Sequence, residues 1–133
     1  MKASNIVTAI ASLVLCAFAW DIRDDWRGLF APSRTAVDFY VHEVLKEPLN
    51  AFRSSVGRFP TTEEGLAALI RAPKGTEALW HGPYVTSDRI PPDPWNRAYQ
   101  YSSPGTRSAA AYDVWSLGPD GVPSADDVGN WSK

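Results

Sequence analysis

The hydrophobic pattern changes period part-way along the chain, and this limits the fold more than any other feature. Apolar residues fall at Val37, Val41, Val44, Leu45, Leu49, Phe52 and Val56, in steps that mark one face of an amphipathic helix. Further on the period drops to two. Ala98-Tyr99-Gln100-Tyr101-Ser102 and Ala111-Tyr112-Asp113-Val114-Trp115-Ser116 both alternate, as half-buried strands do. A helix-forming half ahead of a strand-forming half predicts an α+β domain: a long N-terminal helix packed on a small antiparallel β-sheet.

Punctuation residues refine this picture. Ser33 or Thr35 can cap the helix, with Asp38 three residues after Thr35. Pro48 cannot donate to Val44, so the helix is expected to kink or split there before Gly57 ends it. Thr61 and Glu64 form a capping box ahead of Leu66, Leu69 and Ile70, which predicts a short second helix ending before Pro73. A loop follows to Gly82. Pro83-Tyr84-Val85 reads as a short strand, and residues 103–107 as a hairpin connection. Six Trp, five Tyr and five Phe allow a core built from few, large side chains, with Trp80, Trp95, Trp115 and Trp131 as anchors.

Ahead of this domain, 18 consecutive uncharged residues run from Ala3 to Trp20, with Lys2 before them and Asp21, Arg23, Asp24 and Asp25 after. As a helix they reach about 27 Å, close to the hydrocarbon thickness of a bilayer. Two readings compete: an uncleaved anchor, and a signal peptide cut after Ala17-Phe18-Ala19. The flanking charges place the N-terminus in the cytoplasm and the domain outside. The expected organisation is therefore 1–20 anchor or signal segment, 21–35 linker broken by Gly28 and Pro32, and 36–133 exported domain.

The net charge of −2 gives no electrostatic reason to expect nucleic acid as a partner. Cys16 is the one cysteine, so no intramolecular disulfide can staple the domain. The C-terminal segment offers another staple. Asp120, Asp126 and Asp127 place three carboxylates within eight residues, among glycines and prolines that force the chain to turn. With nothing else in the segment to offset their repulsion, a hard divalent cation suits them. Calcium takes six to eight oxygen ligands from carboxylates, hydroxyls and carbonyls. A polar surface turn built on Asp-Gly chemistry is the competing reading. His42 and His81 have no Cys, Ser or second His at ligand or triad spacing, and the capping box accounts for Glu63-Glu64. Catalysis is not expected.

The motifs also carry a resemblance. Phe59-Pro60-Thr61-Thr62-Glu63-Glu64-Gly65-Leu66, Gly82-Pro83-Tyr84, Asp93-Pro94-Trp95, Tyr99-Gln100-Tyr101-Ser102-Ser103-Pro104-Gly105, Tyr112-Asp113-Val114-Trp115-Ser116-Leu117-Gly118-Pro119-Asp120-Gly121 and Asp126-Asp127-Val128-Gly129-Asn130-Trp131 occur in that order. This set, from about Val44 to Trp131, resembles the major pseudopilin family of the type II secretion system, protein G. The resemblance implies a pilin-like fold and a structural subunit that polymerises into a periplasmic pseudopilus exporting folded proteins. Its implied partners are other pseudopilin subunits, which include copies of the same chain, and inner-membrane components of the system. It implies calcium in the C-terminal loop, with Asp120, Asp126 and Asp127 as acidic ligands and Leu117, Val122 and Ser124 as further oxygen donors. The alternative is a tethered or secreted calcium-stabilised domain of this fold that does not polymerise. At the N-terminus the pattern departs: the family has a basic leader, a Gly-Phe cleavage site and a Glu five residues into the mature helix. Here no Gly precedes Gly28 and no acid precedes Asp21. An unprocessed N-terminus is the expectation that follows.

Overall fold

The computed structural model describes residues 33–132. The expected anchor or signal segment and most of the linker lie outside the described residues. The helical half consists of α1 (Arg34–Phe39), a wide π-helical turn (Tyr40–Val44) and α2 (Lys46–Val56). Ser33 stands at the N-terminal boundary without a side-chain capping bond, so Thr35 falls inside the helix rather than ahead of it.

The wide turn follows from the apolar spacing and from Pro48. Val37, Val41, Leu45 and Leu49 are all buried and separated by steps of four. On a regular α-helix each such step overshoots a full turn by about 40°, and the stripe would wander off the core. The turn in which Leu45 N–H donates to Tyr40 C=O (3.0 Å) takes that drift back. The same shift leaves Val44 40% exposed, although the periodicity had placed it on the buried face. Regular bonding resumes with Leu49 N–H to Leu45 C=O at 3.1 Å. Pro48 therefore sits in a first turn, where a missing N–H costs nothing. The helix is thus not broken at Pro48 itself; its irregular turn lies just ahead, at Tyr40–Val44. Gly57, with φ +87°, ends α2 by donating to Arg53 C=O at 2.8 Å.

Three short strands form an antiparallel sheet in the order β1 (Gln100–Ser102), β2 (Asp113–Ser116), β3 (Val128–Gly129). Tyr101 pairs with Val114, and Trp115 with Gly129. Tyr101 and Val114 join Val37, Val41, Leu45, Leu49, Phe52, Leu69 and Val128 in one core between helix and sheet. Burial raises the pKa of the Tyr101 hydroxyl, which donates to the Pro60 carbonyl at 3.0 Å. β3 had no counterpart in the sequence reading, because two residues are too few to alternate.

Other expectations are corrected. The capping box forms as expected: Glu64 N–H donates to Thr61 Oγ1 (3.2 Å) and Thr61 N–H to Glu64 Oε2 (2.9 Å). It opens a turn and the 3₁₀ segment Leu66–Leu69, however, not an α-helix. Pro83-Tyr84-Val85 is not a strand; Tyr84 N–H instead reaches Leu69 C=O at 2.8 Å. Trp80 and Trp95 pack against the core as anticipated. Trp115 and Trp131 do not; they pack on each other, ring centroids 5.8 Å apart.

Candidate functional site

The C-terminal loop, residues 117–127, connects β2 to β3 and is held at its base by buried polar groups. Asp93 is 3% exposed; its Oδ1 accepts N–H bonds from Trp95 (3.0 Å) and Arg97 (2.8 Å). Its Oδ2 accepts the Ser116 hydroxyl proton, and Ser116 Oγ in turn accepts Gly118 N–H at 3.0 Å. This relay fixes where the loop leaves the sheet. At Gly118 the chain turns with φ +66°, and a Cβ there would lie 2.8 Å from Asp126 Oδ2 and 2.9 Å from Asp126 C=O. Only glycine lets the two ends of the loop approach this closely.

Ser124 and Asp120 lie against the same Asp126 side chain. The Ser124 hydroxyl donates to Asp126 Oδ1, and the Asp120 side chain lies near enough to act on the Asp126 carboxyl. The Ser124 hydroxyl, more than any other neighbour, holds the Asp126 carboxyl below its ordinary pKa. Asp120 Oδ1 also accepts Val122 N–H at 3.1 Å. Leu117 is half-buried at the start of the loop, and Val122 is 55% exposed at its outer rim.

Asp127 takes a different direction. Its side chain is 2% exposed; Oδ2 accepts from Arg107 Nη1 at 3.2 Å and Oδ1 from Ser124 N–H at 3.3 Å. At the other end of the loop Arg97 donates to the carbonyls of Gly118 and Pro119, the latter at 3.0 Å. Two arginines from outside the segment therefore supply positive charge to it. This corrects the premise that nothing but a cation offsets the acids. Their position 20 residues or more away in sequence is why the segment alone did not reveal them.

Arg107 is itself placed by a residue the sequence reading passed over. Asp113, 1% exposed, accepts N–H bonds from Thr106 (2.7 Å), Arg107 (2.9 Å) and Ser108 (2.8 Å). Burial alone would raise its pKa, but these backbone donors outweigh it and hold the carboxyl below its ordinary value. A charged residue inside an alternating strand was the available signal. The two histidines lie elsewhere: His42 on the helix faces the Ser132 carbonyl at 3.1 Å, and His81 lies exposed in the loop after the 3₁₀ segment.

The donors around Asp126 are all hard oxygens, and two of them, Asp126 Oδ2 and its C=O, face the space a Cβ at Gly118 would take, a donor set that fits calcium chemistry. Among the described residues no three His, Cys, Asp or Glu side chains gather closely enough to hold an ion by themselves. The Ser124 hydroxyl and the loop's main-chain oxygens are the other hard oxygens at hand.

The fold and this loop have counterparts. Residues 34–131 match the family described as type II secretion system (T2SS), protein G. The chain belongs to that family. It is 44% identical over 92 residues to the type II secretion system core protein G of Klebsiella pneumoniae, covering 66% of this chain and 63% of that protein. To the protein of the same name from Escherichia coli K12 it is 35% identical over 89 residues, covering 65% and 60%. The chain thus spans less than two thirds of the length of these curated relatives. The crystal structure of the major pseudopilin from the type 2 secretion system of enterohaemorrhagic Escherichia coli superposes with a TM-score of 0.64 at 37% identity. That superposition covers 74% of this chain and 82% of the other.

Proposed function

We propose that this chain is a structural subunit of a type II secretion system, a pseudopilin that supports export of folded proteins across the outer membrane. The match over residues 34–131, on a helix packed against a three-stranded sheet, is the observation that carries this reading. Its partners are other pseudopilin subunits, further copies of the chain and inner-membrane components of the system. Residues 1–20 hold it to the inner membrane with the domain in the periplasm.

Its C-terminal loop binds calcium through the side chains of Asp120, Asp126 and Ser124. The main-chain oxygens of Leu117 and Val122 complete the site, together with Asp127 on leaving Arg107. Bound there, the ion would supply positive charge between the side chains of Asp120 and Asp126. The chain's own contribution is to hold the loop's ends together. The Asp93–Ser116–Gly118 relay and the Arg97 clamp fix the entry, and β3 fixes the exit. Deleting the gene in its host tests the subunit reading. Secreted proteins should accumulate folded in the periplasm and reappear outside on complementation. Unchanged export would instead favour a tethered calcium-stabilised domain that does not polymerise.

A further inference from the structure

Buried Asp127 has a partner that can leave. Its side chain is 2% exposed while that of Arg107 is 46% exposed, so the carboxylate is fixed and the guanidinium is at the surface. Arg107 is anchored through its backbone by Asp113 (2.9 Å). Its guanidinium also lies over the Trp131 ring, 4.1 Å from the centroid, a contact that does not require Asp127. The side chain thus has a second resting place on the indole face and in water when its ion pair is broken.

We infer that Arg107 is the counter-ion of Asp127 in the metal-free loop and competes with the divalent cation for it, so this one side chain tunes calcium affinity. The inference rests on the calcium reading of the loop. A buried carboxylate cannot be left unpaired without a large desolvation penalty, so the metal-free loop needs Arg107. Once a doubly charged ion takes Asp127, the same guanidinium becomes a like-charge neighbour. At about 6 Å in water, charges of +1 and +2 repel enough to weaken binding roughly tenfold before salt screening. Arg107 therefore supports the loop without metal and opposes the metal when it arrives. The loop holds its shape at low calcium and releases the ion more readily than its acids alone would dictate.

The test is a calorimetric calcium titration of the purified full-length chain in detergent, with melting curves in chelator and in saturating calcium. Arg107→Gln should bind calcium about three- to tenfold more tightly than wild type. It should melt earlier than wild type in chelator, and the difference should close in calcium. Arg107→Lys keeps the charge but loses the planar guanidinium and its stacking on Trp131. It should fold and bind calcium with an affinity between the two. If wild type shows neither binding heat nor a calcium-dependent melting shift, the calcium reading itself fails. If wild type binds but neither variant binds more tightly, or Arg107→Gln melts early by the same margin in both conditions, Arg107 is only structural and the inference is overturned.

Discussion

Asp113→Asn removes one charge from the residue that organises the hairpin and aims Arg107 at the loop. In the wild type Oδ2 takes the N–H groups of Thr106 and Arg107, and Oδ1 takes that of Ser108. An asparagine has one acceptor and one donor end. With its oxygen toward Thr106 and Arg107, its amide nitrogen meets Ser108 N–H, donor against donor. Turned round, it loses both other bonds. Hydrogen bonds to a charged group contribute about 1.5–3 kcal/mol each, and an orphaned buried N–H costs a further 1–3 kcal/mol. Even the better orientation therefore costs about 3 kcal/mol. For a domain of this size that is a fall in Tm of about 12–24 °C. Thermal and urea unfolding at pH 7, followed by far-UV circular dichroism, reads the difference. A loss below about 1 kcal/mol would show that solvent, not Asp113, satisfies those N–H groups.

Further outcomes follow from the same geometry. Phe52→Ala empties a fully buried site that packs edge-on to Tyr84 at 5.8 Å, and unfolding curves should show a loss of about 3–5 kcal/mol. Acid should destabilise the domain in a defined direction. Asp113 and Asp126 both titrate below their ordinary values when folded, so the stability they contribute is present above about pH 4. It is lost as pH falls through the lower folded values. Melting temperatures between pH 2 and 7 measure this, and the acid-induced fall should be smaller in Asp113→Asn than in wild type.

The fold was legible where a physical period repeats. Val37, Val41, Leu45, Leu49 and Phe52 announced the helix, and Tyr101 and Val114 the sheet, because each run is long enough to define a face. Val44 was misplaced because a π turn cannot be distinguished from an α turn by spacing alone until the drift of the four-residue steps is followed through. The segment after the capping box was read as an α-helix because Thr61 and Glu64 specify how a turn opens, not what continues it. In the loop, the glycines and acids were visible, and Ser124 does meet Asp126, while Asp127 turns to Arg107. Arg97 and Arg107 were not visible, because their charge reaches the loop through tertiary contacts across 20 residues or more of sequence. Nor did the sequence mark Asp93 and Asp113 as buried organisers, for the same reason. Their importance lies in which backbone donors they meet.

The most direct measurement is the metal content of the chain after dialysis against calcium and removal of free ion, read by mass spectrometry for wild type and Asp126→Asn. About one calcium per wild-type chain, and markedly less in the variant, is the result predicted by a loop whose facing carboxylates share an ion. Equal and negligible calcium in both would mean that the loop's protein contacts, Arg97 and Arg107 among them, hold it together without an ion.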